Sequence, residues 1–189
     1  MEEVFLSVDI EADGKIPGMN SMLSLGSVLF QIKPDGYEVL ATFEANLQTL
    51  PQAVTDPETM RWWQGYPVAW EKCRQNQEAP EVVMRRYAEW LDEHSSQPIF
   101  IGYPASYDFM FVYWYLYFFT GKASFGYAAL DIKSYAMATL KAGSWTTFRK
   151  SSIPEYLQSK HPHDHTPLND AMHQAELFAN LYRENIKRG

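Results

Sequence analysis

The first apolar run of the chain, Val4-Phe5-Leu6-Ser7-Val8-Asp9-Ile10, reads as a mostly buried β-strand, yet it contains an aspartate and is followed at once by Glu11. Successive side chains of a strand alternate between faces, so Asp9 and Glu11 project from the same side. Two carboxylates on one apolar face repel each other and lose hydration unless a cation lies between them. Whatever fold forms must give this strand end a way to tolerate that charge. Hard oxygen donors of this kind suit Mg²⁺ or Mn²⁺. The plain alternative is a pair of solvated carboxylates at a strand end.

The rest of the chain supplies a sheet and its helices. Ser21 to Ile32 and Tyr37 to Leu47 read as two further strands, and Lys33-Pro34-Asp35-Gly36 between them is a tight turn. Three successive strands joined this way predict an antiparallel meander. A helix then opens at Thr55-Asp56-Pro57-Glu58, through a Thr55/Glu58 capping box or an Asp56 cap with Pro57 in the first position. Helical spacing follows over Pro80 to His94, a short buried strand over Pro98 to Tyr103, and apolar helices over Ser106 to Phe119 and Ala129 to Leu140. Residues 141–164 read as irregular, with one short helix near Ile153 to Leu157, before a last helix from about Pro167 to Ile186. The order β-β-β-α-α-β-α-α-α predicts an α/β fold, a mixed sheet of about five strands flanked by helices.

With 189 residues, 46% of them hydrophobic and 21% charged, the chain can bury a core within a single domain spanning 1–189. One cysteine, Cys73, excludes a disulfide scaffold or a Cys-rich zinc module and suits a reducing compartment. The acidic start Met1-Glu2-Glu3 lacks the pattern of a signal peptide, and the apolar run Phe109 to Phe119 is shorter than the roughly 20 residues of a membrane span. A cytoplasmic protein without membrane contact is expected. The net charge is −7, but it is unevenly spread. Residues 1–60 carry two bases against ten acids, whereas 122–160 carry six bases against two acids.

Two further places concentrate chemistry. Asp108 falls in the first turn of the aromatic helix, where the helix dipole favours a carboxylate and a strand end would hold it rigidly. In His165-Thr166-Pro167-Leu168-Asn169-Asp170, Thr166 is a natural N-cap and Pro167 a natural first residue, which makes His165 and Asp170 the N′ and N4 positions. Those positions touch in a hydrophobic staple, so the spacing predicts an imidazole against a carboxylate. The cluster His161-Pro162-His163-Asp164-His165 is one residue short of the His-x-His-x-Asp-His zinc motif of metallo-β-lactamases, and His161 and His163 read as solvated or as phosphate contacts.

In this order, Asp9, Glu11, Asp108, His165 and Asp170 resemble the DEDDh 3′–5′ exonucleases, which have the ribonuclease-H-like fold. Val8-Asp9-Ile10-Glu11 is similar to the first family motif, Tyr103-Pro104-Ala105-Ser106-Tyr107-Asp108 to the second, and His165 with Asp170 to the third. Ser24-Leu25-Gly26-Ser27-Val28 resembles the family's second strand, and Asp56-Pro57-Glu58-Thr59-Met60-Arg61-Trp62-Trp63 a segment of a small bacterial and phage branch of exoribonucleases. The chain departs from the family after Glu11, where glycine and threonine often follow and the run here is Ala12-Asp13-Gly14-Lys15.

The resemblance implies phosphodiester hydrolysis from the 3′ end of single-stranded or short nucleic acid, RNA rather than DNA, with two divalent ions, Mg²⁺ or Mn²⁺. It implies that Asp9 bridges the ions, Glu11 and Asp170 hold one with it, Asp108 supports the other, and His165 is the general base. Candidate substrate contacts are Tyr107 beside Asp108, Met22 or Leu23 against a terminal base, and Lys141, Arg149 and Lys150 on phosphates. At least one of Trp62 and Trp63 is expected in the core. The aromatic content is compatible with a homodimer. A DNA exonuclease, a non-catalytic binding module and a mononucleotide hydrolase on the same fold are the competing readings.

Overall fold

A computed structural model describes residues 3–95 and 97–188 as a five-stranded mixed sheet of order β3-β2-β1-β4-β5, flanked by helices. Met1 and Glu2 of the acidic start lie outside the described residues. The strands β1 (Phe5–Ala12), β2 (Met22–Lys33) and β3 (Gly36–Asn46) form the expected antiparallel meander. On the other side of β1, β4 (Ile99–Gly102) and β5 (Ala129–Asp131) add in parallel. The helices are α1 (Pro57–Trp63), α2 (Pro67–Cys73), α3 (Pro80–His94), α4 (Ala105–Thr120), α5 (Ile132–Thr139) and α6 (Pro167–Arg188), with 3₁₀ turns at Lys150–Ser152 and Glu155–Leu157. Among the described residues no helix is long and apolar enough to cross a membrane.

Alternation along β1 sorts its side chains between two cores. Leu6, Val8 and Ile10 pack with Val83, Tyr87, Phe111 and Tyr115 of α3 and α4. Phe5 packs on the other face with Phe178 of α6, and Ser7 Oγ donates to the Ala171 carbonyl at 2.8 Å. Asp9 and Glu11 share the Phe5–Ser7 side, so the helix they meet is α6. The first turn of α6 lies directly on β2, at a place where only glycine fits. A Cβ on Gly26 would stand 2.2 Å from the Pro167 carbonyl carbon, and Gly26 is the partner of Asp9 in the β1–β2 register. Gly102 likewise lets α4 start tight against β4, since a Cβ there would stand 2.9 Å from Ala105 Cα.

Two local expectations are corrected, and one open choice is decided. Ala129 to Leu140 is not one helix: Ala129–Asp131 pairs with β4 as β5, and the helix begins at Ile132. Three residues carry no readable period, and their strand character comes from the β4 edge they complete. Asp131 closes that junction, accepting from Ser134 N–H at 2.7 Å and from Ala105 N–H at 3.0 Å. The segment after α1 holds a separate helix, α2, also started by a proline. At α1 itself the Asp56 cap prevails over the Thr55/Glu58 box, because Asp56 Oδ2 accepts from Thr59 N–H at 2.8 Å.

Gly26→Ala is expected to destabilise the protein by roughly 1–3 kcal/mol, the usual cost of forcing a group into a packed contact. Gly36→Ala, with nothing within 4 Å of the added carbon, should stay within about 0.5 kcal/mol of the parent. Urea denaturation of both variants measures the difference, and equal midpoints would show that α6 does not depend on the bare Gly26 surface.

Candidate active site

Four carboxylates from three elements converge at the end of β1. Asp108, 5% exposed in the first turn of α4, accepts from the backbone N–H of Ile10 at 3.2 Å, which ties it to the strand between Asp9 and Glu11. Asp170, 1% exposed on α6, accepts from Asp164 N–H at 3.0 Å. One turn further along α6, Gln174 Nε2 donates to Asp9 Oδ1 at 2.8 Å. Among the described residues the side-chain oxygen of Gln174 is buried without a hydrogen-bond partner. Gln174 escaped the sequence reading, although its i+4 spacing from Asp170 on an amphipathic helix was a usable signal.

The cluster is electrostatically frustrated. Burial pushes the Asp9 carboxyl well above its ordinary range, and the charges of Asp108, Glu11 and Asp170 push it further. Burial, then Asp170 and Asp108, does the same to Glu11. Asp108 is pushed up to about 7, again mainly by burial, against the opposing Ile10 N–H. Asp9, Glu11 and Asp108 are each held where the charged form is unfavourable, and the crowding of carboxylates makes it worse.

The histidines differ from the staple geometry. His163, not His165, sits on Asp170, with Nδ1 2.7 Å from Oδ2. His165 has a left-handed backbone, φ +58°, rather than the extended conformation a staple requires, so its ring leaves Asp170. Its Nδ1 lies 3.7 Å from Glu11 Oε1, and its ring packs against Tyr66 and Trp62 at centroid distances of 4.3 and 5.1 Å. Burial holds the His165 pKa below its ordinary value. His161 is half-buried, with Tyr37 Oη 2.9 Å from its Nε2.

The candidate substrate contacts divide. Met22 and Leu23 are corrected: both side chains are fully buried in the core and offer no surface to a base. Trp63 is the core tryptophan, 2% exposed, whereas Trp62 is 42% exposed. Tyr107 donates its hydroxyl to the Gly14 carbonyl at 2.8 Å and, with Trp62, Glu11 and the Lys15–Glu58 ion pair, lines a pocket of about 350 Å³. Lys150 is half-buried, with its ammonium 5.1 Å from the centre of the Tyr103 ring and its charge acting on Asp9 and Asp108. Burial lowers its pKa. Arg149 turns back on its own loop, donating to the Phe148 carbonyl at 3.1 Å, and Lys141 stands exposed on a left-handed turn, φ +54°.

A donor set made only of carboxylate oxygens, with burial that disfavours their free charge, fits hard divalent cations. Among the described residues no three His, Cys, Asp or Glu side chains form a ready-made metal cage, so the acids are gathered without being closed around an ion.

Residues 4–182 match the 3′-5′ exoribonuclease Rv2179c-like domain family. The chain belongs to that family. It is 33% identical over 180 residues to the 3′-5′ DNA exonuclease Cap18 of Escherichia coli, covering 94% of this chain and 90% of that one. In fold it is similar to the nuclease domain of 3′hExo, a DEDDh family member, with a TM-score of 0.62 at 10% identity over 100% of this chain and 94% of that domain. It is also similar to exonuclease I, with a TM-score of 0.67 at 13% identity over 99% of this chain but only 41% of that one. The expected class is thereby established: a 3′–5′ exonuclease, on the ribonuclease-H-like fold of its structural neighbours.

The raised carboxyl groups set a pH dependence. A group such as Asp108, ordinarily at 3.8 and about 7 in the fold, contributes stability while it keeps its proton. That contribution is complete below the unfolded value and is lost as pH rises through the folded one. Metal-free protein should therefore melt at a higher temperature at about pH 5 than at about pH 8. Added Mn²⁺ should raise the melting temperature more at the higher pH. A cation effect of the same size at both values would count against a frustrated acid cluster.

Proposed function

We propose that the chain is a single-domain, metal-dependent exonuclease that shortens single-stranded or short nucleic acid from its 3′ end, RNA in preference to DNA, using two Mg²⁺ or Mn²⁺ ions and His165 as general base. The convergence of Asp9, Glu11, Asp108 and Asp170, with His165 3.7 Å from Glu11, carries this reading. Those four carboxylates would hold the ions, which supply charge for the scissile phosphate and acidify the attacking water. Gln174 orients Asp9, and His163 with the Asp164 N–H orients Asp170. The His165 imidazole, kept neutral by burial, accepts the water's proton. The pocket between Trp62 and Tyr107 takes the 3′-terminal nucleoside. Lys150 faces its phosphate, and Arg149 and Lys141 serve phosphates further along the strand.

The preference for RNA draws on the family's description as an exoribonuclease domain. The naming of Cap18 as a DNA exonuclease favours exodeoxyribonuclease activity as the second reading. A buried free Cys73 suits work in the reducing cytoplasm. The homodimer reading is supported by α4, whose exposed Met110, Tyr117 and Phe118 form an uncharged aromatic face better matched to its own copy than to a polyanion.

The test offers 5′-labelled RNA and DNA of one sequence, with Mn²⁺ and with EDTA. A metal-dependent ladder growing from the 3′ end, faster on RNA, is the expected outcome; a faster DNA ladder reverses the preference, and intact substrates with folded protein overturn the reading. Asp9→Ala and Asp170→Ala should abolish turnover. His165→Ala should lower kcat by about 10²–10⁴-fold while calorimetric Mn²⁺ binding persists. In Lys150→Ala, KM should rise and the salt dependence of binding should weaken by about one phosphate contact.

A further inference from the structure

The segment Asp56 to Cys73, with its paired tryptophans, forms one wall of the pocket beside Glu11 and also reaches His165. Its placement is more specific than that. Trp63 anchors it: the ring is buried with Leu23, Ala69 and Cys73, and its Nε1–H donates to the Ala12 carbonyl at 3.0 Å. Asp56 N–H adds a bond of 2.8 Å to the Asp13 carbonyl. Both bonds reach the end of β1, next to Glu11. From this fixed base two half-exposed rings reach the same imidazole. Tyr66 meets His165 at 4.3 Å and 66°, Trp62 meets it at 5.1 Å and 89°, and the two aromatics lie 4.6 Å from each other. Lys72 of α2 also grips the loop, donating to Thr166 Oγ1 at 3.1 Å and lying 3.8 Å from Asp164.

What His165 lacks makes this contact informative. A histidine that takes a proton in catalysis is usually oriented by a hydrogen bond from its other ring nitrogen to a carboxylate or carbonyl. Among the described residues no hydrogen bond orients the His165 ring. Its backbone is left-handed and lies in a loop, so the main chain alone does not set its direction. Edge-on packing of aromatic rings is directional, because the positive edge of one ring meets the negative face of another.

We infer that Tyr66 and Trp62 are positioning residues for His165: α1 and α2 form a brace that aims the imidazole beside Glu11 by ring packing, in the role a hydrogen-bonded partner usually fills. The inference rests on the reading of His165 as the general base. Tyr66 acts through its ring and Trp62 has a second role in the pocket wall, so Tyr66 is the cleaner probe.

The experiment uses the full chain with Tyr66→Leu, Tyr66→Phe, His165→Ala and the double variant Tyr66→Leu/His165→Ala. Steady-state kinetics on a labelled oligonucleotide at saturating Mn²⁺ should show kcat for Tyr66→Leu reduced about 10-fold or more, the scale set by small misplacements of a reacting group, with KM within about two-fold. Tyr66→Phe should restore it. In the His165→Ala background, Tyr66→Leu should have no further effect. The His165 ring-proton resonances, assigned by their loss in His165→Ala, should be displaced by ring currents in the parent and in Tyr66→Phe, and should move in Tyr66→Leu. An equal fall in kcat with and without His165, or unmoved His165 resonances, overturns the brace. Full activity of His165→Ala instead overturns the general-base reading, and the resonances still report on the brace. If Tyr66→Leu fails to fold, Trp62→Leu is put through the same cycle: any rise in KM through the pocket wall should be present in both backgrounds, but its fall in kcat must vanish in the His165→Ala background.

Discussion

Repulsion among Asp9, Glu11, Asp108 and Asp170 is the constraint on which the rest of the structure depends. Burying like charges together is unfavourable by itself, and Asp9, Glu11 and Asp108 are each pushed toward the protonated form by burial and by neighbouring carboxylates. A chain adopts such an arrangement only when packing elsewhere over-determines it. Here the packing is an apolar core on each side of the sheet. The α3–α4 core and the α5–α6 core both close against β1 and β2, and their helix ends bring in Asp108 and Asp170.

Close approach of backbone, rather than any strong individual bond, sets the spacing of the site. Gly26 admits the first turn of α6 next to Asp9, and Gly102 admits the first turn of α4 beside β4. With both helices seated, short polar bonds do the fine placement: Ile10 N–H on Asp108, Gln174 on Asp9, Asp164 N–H and His163 on Asp170. The cations that the frustrated acids call for would then relieve a strain that the fold has already built, instead of organising a disordered region. Lys150 fits the same logic, a half-buried ammonium set among carboxylates and an aromatic face.

Much of this was legible in the chain. The alternation in Val4 to Ile10, the Pro34-Asp35 turn, the spacing of α3 and α6 and the Thr166-Pro167 start all report local rules, and the elements they predict are present within a residue or two. The carboxylates were legible because each stands at the end of such an element. What escaped was set from outside the local window. β5 is a strand only because β4 offers it an edge, and Met22 and Leu23 are core because the α3–α4 side covers one and Trp63, Ala69 and Cys73 the other. His163 replaces His165 on Asp170 because one residue of the loop turns left-handed.

The sequence by itself determined the fold class and the inventory of acids, because periodicity, caps and turns act over a few residues and their chemistry is written in the residues concerned. Tertiary structure alone decided which imidazole meets which carboxylate, that Gln174 holds Asp9, and that Trp62 and Tyr66 flank His165. Those contacts join residues up to 165 positions apart, and their geometry follows from how the helices seat on the sheet. No local rule contains that information, because it comes into being only when the two cores close.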